Sequence, residues 1–251
     1  MPYQILTFDQ VPDLESQIDR LSQEAWPEFL LQGNIRYWGS LFREFAGFQI
    51  LLCDPAYEVI AVGHTVPLVL DDTFENLPSG IDNILERAMD AYHHQHTPTT
   101  LSALAAIVAK SHQRRGLSSA ILRAMKSLAA EHRLSDLIAP VRPTLKSLYP
   151  LTRFEQYIQW KREDGSPFDP WLRVHWRLGA EQLQVIRQAM VVTGTVSEWE
   201  EWTGMCFPES GEYIVPGALQ PVTIDRERNM GHYEDPNVWM RHSSVNRKQK
   251  S

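Results

Sequence analysis

Residues 105–119 read Ala-Ala-Ile-Val-Ala-Lys-Ser-His-Gln-Arg-Arg-Gly-Leu-Ser-Ser. An apolar run passes straight into a short basic loop holding one glycine. Behind it, residues 117–132 carry Leu117, Ile121, Met125, Leu128 and Ala129 at helical spacing. A strand ending in front of a helix aims the free N–H groups of the first turn, with their partial positive charge, at whatever fills the loop. That is a site for phosphate or pyrophosphate. Gly116 lets the backbone come close to such a ligand. Between Lys110 and Arg133 six basic residues stand against one acid, Glu131, a local balance of +5. The same residues also suit an ordinary strand-to-helix turn with a solvated basic face. The loop lacks the Gly-Lys-Ser/Thr of a P-loop, and its single glycine is not a dinucleotide fingerprint.

This basic island sits in an acidic chain. The 251 residues include 24 Lys and Arg against 31 Asp and Glu, a formal charge of −7, which disfavours a general grip on nucleic acid or anionic lipid. With 43% hydrophobic and 22% charged residues the chain can bury the core of one large or two small domains. Cys53 and Cys206 make neither a metal cage nor a disulfide framework. No apolar run reaches the roughly eighteen residues of a membrane span, and a basic-then-apolar leader pattern is missing, so a cytoplasmic protein without a membrane or metal requirement is expected.

The elements that must hold the loop are read from periodicity. Strands are expected at 3–8, 48–53, 59–69, 101–109 and 136–141, the second and third as an antiparallel hairpin, with 101–109 the buried centre. Helices are expected at 14–26, 34–44, 81–94, 117–132 and 144–149. Residues 171–178 alternate cleanly as a strand with Trp171, Arg173, His175 and Arg177 on one face; 181–190 and 197–203 read as helices; 212–215 and 221–224 read as strands. The tail after Val245 is expected to fray. His64 alternates with Ile60, Val62 and Val66 and reads as a core histidine rather than a base. His93, His94 and His96 read as a solvated helix end.

Gln113-Arg114-Arg115-Gly116-Leu117-Ser118 resembles the Gln/Arg-x-x-Gly-x-Gly/Ala loop of the GNAT superfamily of acyl-CoA-dependent acyltransferases. Ser147-Leu148-Tyr149-Pro150-Leu151-Thr152-Arg153-Phe154 resembles that family's Leu-Tyr-x-x-x-Gly-Phe segment. The resemblance covers about residues 1–178. It implies the α+β GNAT fold, a mixed and mostly antiparallel central sheet flanked by helices. It also implies acetyl-CoA or another acyl-CoA as co-substrate, with pantetheine alongside Ile107 and Val108, pyrophosphate held by Gln113, Arg114, Arg115, Gly116, Leu117, Ser118 and Ser119, and Tyr149 as the acid that protonates the leaving thiolate. Three positions depart from the pattern: Ser118 for a second small residue, Arg142 where asparagine is common and a CoA contact is expected, and Arg153 for glycine.

A narrower resemblance, to the chain-initiating GNAT-like domains of polyketide synthases, rests on Thr144 and His175 and on the phrase from Tyr233 to Trp239. It implies decarboxylation of a malonyl-type thioester, with Arg187, or else Arg142 or Arg173, on the carboxylate and Trp38 walling the pocket. Three readings therefore stand: acyl transfer to a small-molecule or carrier-protein acceptor, decarboxylation, and CoA binding without turnover. Six of the eight tryptophans follow residue 159. This divides the chain into a core at 1–178 and a Trp-rich extension at 179–251 that packs on it and leaves a homodimer contact open.

Overall fold

The computed structural model describes residues 2–33 and 35–243. The chain opens with β1 (Gln4–Thr7), then α1 (Glu15–Ala25) and α2 (Glu28–Leu31). Helix α1 turns Ile18 and Leu21 inward and stops at Trp26, held extended because the residue before Pro27 is pushed out of the helical region. The helix expected at 34–44 is only the 3₁₀ turn Trp38–Phe42, which holds the poor helix former Gly39; position 34 lies outside the described residues. The hairpin β2 (Ile50–Cys53) and β3 (Val59–Leu68) follows, then α3 (Ile81–His93), β4 (Thr100–Val108), α4 (Leu117–Glu131) and β5 (Asp136–Val141). After β5, the stretch at 144–149 contains only the 3₁₀ turn Lys146–Leu148, and α5 (Phe154–Tyr157) comes next.

Beyond residue 157 the structure corrects two expectations. Residues 171–178 are not a strand but α6 (Pro170–Arg177): Asp169 caps the helix by accepting the N–H groups of Trp171 and Leu172, and Pro170 takes the first turn, where its missing N–H is harmless. Residues 181–190 are not a helix but the start of β6 (Glu181–Gly194). Two irregularities in its pairing, at Gln182/Val185 and Ile186/Met190, insert extra residues, so that Ile186, Ala189 and Val192 point inward at a spacing that imitates a helix. The described part ends with α7 (Val196–Thr203), β7 (Gly211–Tyr213), β8 (Val222–Asp225) and the long β9 (Met230–Ser243), and the tail after Val245, expected to fray, lies outside the described residues.

The described residues form one nine-stranded sheet in the order β1-β2-β3-β4-β5-β9-β8-β7, with β6 also on β9. Only β4 and β5 are parallel. One edge of β9 carries β6; the other carries β5 at one end and β8 at the opposite end, since Val238 pairs with both Val185 and Val141 and His232 with both Thr193 and Thr223. The part from 179 onward thus enters the central sheet through β6 and β9 instead of lying on it. Trp199, at 0% exposure, anchors a satellite core with Phe29, Phe207, Val222 and Tyr233.

Helices α4 and α6 cover one face of the sheet, with Leu117, Ile121, Met125, Leu128 and Leu172 in a shared core. A Cβ on Gly63 would meet Met125 and Ile121, so Gly63, like Ala61, faces α4, while Val62 and Val66 face α1 and α3. The pairing shift opposite Leu52/Cys53 breaks this alternation, and Ile60 joins the α4 core while Val59 joins the α1 core.

Candidate active site

Strands β4 and β5 pair over Thr100–Asp136, Leu101–Leu137 and Ser102–Ile138 and then part. Beyond Ser102, β4 stays paired to β3 as far as Val108, and β5 stays paired to β9 as far as Val141. Between them the β5-side edge of β4 is left without a strand, and its backbone N–H and C=O groups need another partner. The pairing of β3 with β4 shifts where His64 opposes Ala105 and Thr65 opposes Ala103, which leaves Leu104 as one extra residue on β4 beside this cleft. Ile107 is buried toward α1, and Val108 packs toward α4.

At the open end of β4 the turn Lys110–His112 leads into the basic loop. Gln113 is exposed and its Nε2 reaches Val108 O at 3.5 Å; Arg114 and Arg115 are exposed, Arg114 at φ 62°. Gly116 stands at φ 80° with nothing within 4 Å of where a Cβ would be. The first helical bond, Ala120 N–H to Gly116 O at 3.1 Å, leaves the N–H groups of Leu117, Ser118 and Ser119 ahead of it in the first turn. An open backbone edge leading to an uncovered helix N-terminus suits a long ligand with an amide-bearing arm and a pyrophosphate. Replacing Gly116 by Val places a β-branched residue at positive φ, a strain of roughly 1–2 kcal/mol. Calorimetry should show CoA affinity weakened about tenfold; unchanged affinity would remove the loop from the site.

The segment after β5 is tied down by Arg142, expected at a CoA or carboxylate contact, and by Lys146, Asp169 and Asp235, for which the sequence suggested no role. Arg142 donates from Nε to both Asp235 oxygens at 3.0 and 2.9 Å and from Nη2 to Gly217 O at 2.7 Å. Burial opposes its charge, but Asp235 more than offsets this and the guanidinium is held above its ordinary pKa. Tyr233 donates its hydroxyl to Asp235 and accepts Leu219 N–H; burial, then Asp235, pushes its pKa up. Lys146, fully buried, donates to Tyr149 O at 2.8 Å and to Leu219 O, and burial lowers its pKa to about 8. Asp169 accepts Leu145 N–H and the Tyr157 hydroxyl besides capping α6.

Tyr149 follows this clamp, 37% exposed, with Trp160 edge-on at 5.0 Å and Tyr157 and Phe168 each at 5.9 Å. Thr144 is exposed. His175 is buried, its Nδ1 2.9 Å from Nε2 of His242. His242 pairs with Leu137, so the histidine pair sits where β4 and β5 are still joined, away from their open end. Burial, then His242, lowers the pKa of His175 well below the ordinary value; burial, then Lys126, lowers that of His242 to about 4. Arg173 donates to the carbonyls of Pro167 and Phe168, and Arg187, 79% exposed, lies 3.3 Å from Glu155. Trp38 is 5.3 Å from His64 at the wall of a cavity of about 430 Å³.

His64 is pushed down to about 4 by burial as well. A histidine whose folded pKa lies below its unfolded 6.5 binds no proton in the native state while the unfolded state does, so stability is full above pH 6.5 and falls as pH drops toward 4. A shift of this size corresponds to about 3 kcal/mol for His64 alone. Urea midpoints taken from pH 7.5 to 4.5 should fall, and a flat profile would mean these rings titrate normally.

No family model matches the chain. Its sequence is 30% identical over 274 aligned positions to arginine N-acetyltransferase avaD of Aspergillus versicolor, covering 96% of this chain and 93% of that protein. Among solved structures, the loading GNATL domain of CurA from Lyngbya majuscula superposes with a TM-score of 0.64 at 16% identity over 97% of this chain and 98% of that one. The GphF GNAT-like decarboxylase in complex with isobutyryl-CoA does so at 0.60 and 14%, over 96% and 100%. The parted parallel strands, the loop and these superpositions define the GNAT fold. With the curated relative matched along nearly its whole length, the chain belongs to the GNAT superfamily of acyl-CoA-dependent N-acetyltransferases. Among the described residues, no helix is long and apolar enough to cross a membrane, and no group of three His, Cys, Asp or Glu is arranged to hold a metal.

Proposed function

We propose that the chain transfers an acetyl or other acyl group from CoA to the amine of a cationic small molecule by direct attack in the β4–β5 cleft. The parting of β4 from β5 after Ser102, leading to the loop at 113–119, carries this reading. Pantetheine lies along the open edge near Ile107 and Val108, and the pyrophosphate lies at the α4 N-terminus. Attack forms the N–C bond and expels the thiolate, to which the Tyr149 hydroxyl donates its proton. Arginine, the acceptor named for the 30%-identical relative, is such a cation, and Asp19 and Glu28 line the cavity walled by Trp38 and His64. The decarboxylase reading needs Thr144 and His175 at one carbon, and an exposed threonine and a buried histidine paired with His242 give it no support.

Incubation with acetyl-CoA and a panel of cationic amines, read by free thiol and by mass of the product, tests the proposal. Amine-dependent thiol release with an N-acetylated product is expected. Acetyl-CoA and CO2 formed from malonyl-CoA with no acceptor, and no transfer from acetyl-CoA, would overturn it; CoA binding without any turnover would do the same.

A further inference from the structure

The cavity between α1, α2 and the Trp38–Phe42 turn has a histidine at its inner end. His64 is 0% exposed and lines the cavity with Asp19, Glu28, Trp38 and Phe42. The Trp38 and Phe42 rings approach it edge-on at 5.3 and 5.8 Å. Its strand partner is Ala105, beside the extra residue Leu104 and past the last β4–β5 pair, so the imidazole is one strand away from the open cleft.

The tautomer of that imidazole is dictated by its neighbour. Gln49 is fully buried, and its amide nitrogen donates to Phe45 O at 2.8 Å and to Thr65 O at 2.9 Å, which uses both of its hydrogens. The amide oxygen, which can only accept, faces Thr65 N–H at 3.3 Å and His64 Nδ1 at 3.0 Å. Nδ1 therefore carries the proton, and Nε2 keeps a lone pair. Nε2 is buried with no hydrogen-bond partner among the described residues. An orphaned acceptor of this kind costs about 1–3 kcal/mol, and here it lies on the wall of a cavity.

We propose that this cavity receives the acceptor amine and that Nε2 of His64 takes the proton the nitrogen sheds as it attacks the thioester. The inference rests on the amine-acceptor reading above. The balance is simple: one N–C bond forms, one C–S bond breaks, the nitrogen gives a proton to Nε2, and the sulfur gains one from Tyr149. Amide and CoA thiol leave, and the proton on His64 returns to Tyr149 through solvent. Asp19 and Glu28, the charged groups lining the cavity, receive the acceptor's remaining cation, with the aromatic faces of Trp38 and Phe42 beside it. Gln49 is a positioning residue, since it acts only by fixing which nitrogen is bare.

The test is His64→Ala in the full chain with acetyl-CoA and arginine, with and without added imidazole. kcat is expected to fall about 100-fold or more, with CoA affinity by calorimetry unchanged and part of the lost rate restored by imidazole. Should His64→Ala fail to fold, His64→Gln keeps a hydrogen-bonding group that cannot take a proton, and the same loss of kcat is expected. Wild-type kcat in either variant, or a folded His64→Ala that imidazole does not rescue, would overturn the inference while leaving amine transfer intact. Absence of amine transfer by the wild-type chain would remove the underlying reading itself.

Discussion

Arg142→Ala should destabilise the protein by about 3–5 kcal/mol, the size measured when one partner of a buried ion pair is removed. The residue left behind is Asp235, whose side chain is 4% exposed and keeps only the Tyr233 hydroxyl of its two partners. Gly217 O loses its donor as well. For a chain of this length the melting temperature is expected to drop by about 10 °C. The consequence reaches the site, because the network of Arg142, Asp235 and Tyr233 holds the 217–219 loop, whose Leu219 carbonyl takes the Lys146 ammonium that also binds Tyr149 O. Thermal unfolding beside CoA calorimetry separates the roles: a large loss of stability with CoA affinity retained assigns Arg142 to the clamp. An unchanged melting temperature with weakened CoA binding would return it to the cofactor contact expected from sequence.

Tyr149→Phe removes one oxygen and keeps the ring among Trp160, Tyr157 and Phe168, so the fold should be undisturbed. Loss of a general acid lowers kcat by about 100-fold or more, with little change in the KM for acyl-CoA. A thioester whose thiol is more acidic needs less help on leaving, and the deficit should shrink with such a substrate. Equal turnover by wild type and variant on acetyl-CoA would remove Tyr149 as the acid.

How far the sequence disclosed this molecule follows from where local pattern and tertiary pairing agree. The 105–119 stretch was legible because a buried strand, a glycine at positive φ and a periodic helix are each written locally. The α6 helix was misread because eight residues alternate by chance, while the stronger signal, Asp169 followed by Pro170, lay just outside the window. β6 was misread because its irregular pairing changes the spacing of the inward residues, and β9 was not recognised as a strand. Pro236 within β9 argues against a strand, yet it lies opposite the irregular stretch of β6 and past the last β5 pair at Val238, where no ladder N–H is needed. The Arg142–Asp235 pair joins positions 93 apart and leaves no local trace. His64 could be placed on a core face from alternation, but its bare nitrogen depends on Gln49, whose amide orientation is set by carbonyls from two other segments.

Initial rates of CoA release, with acetyl-CoA and arginine both varied, test the central claim most directly. Direct transfer in one cleft requires both substrates together, so the double-reciprocal lines should intersect and the rate should vanish without amine. Parallel lines, the mark of an acyl-enzyme intermediate, or thiol release that does not depend on the amine, would contradict it.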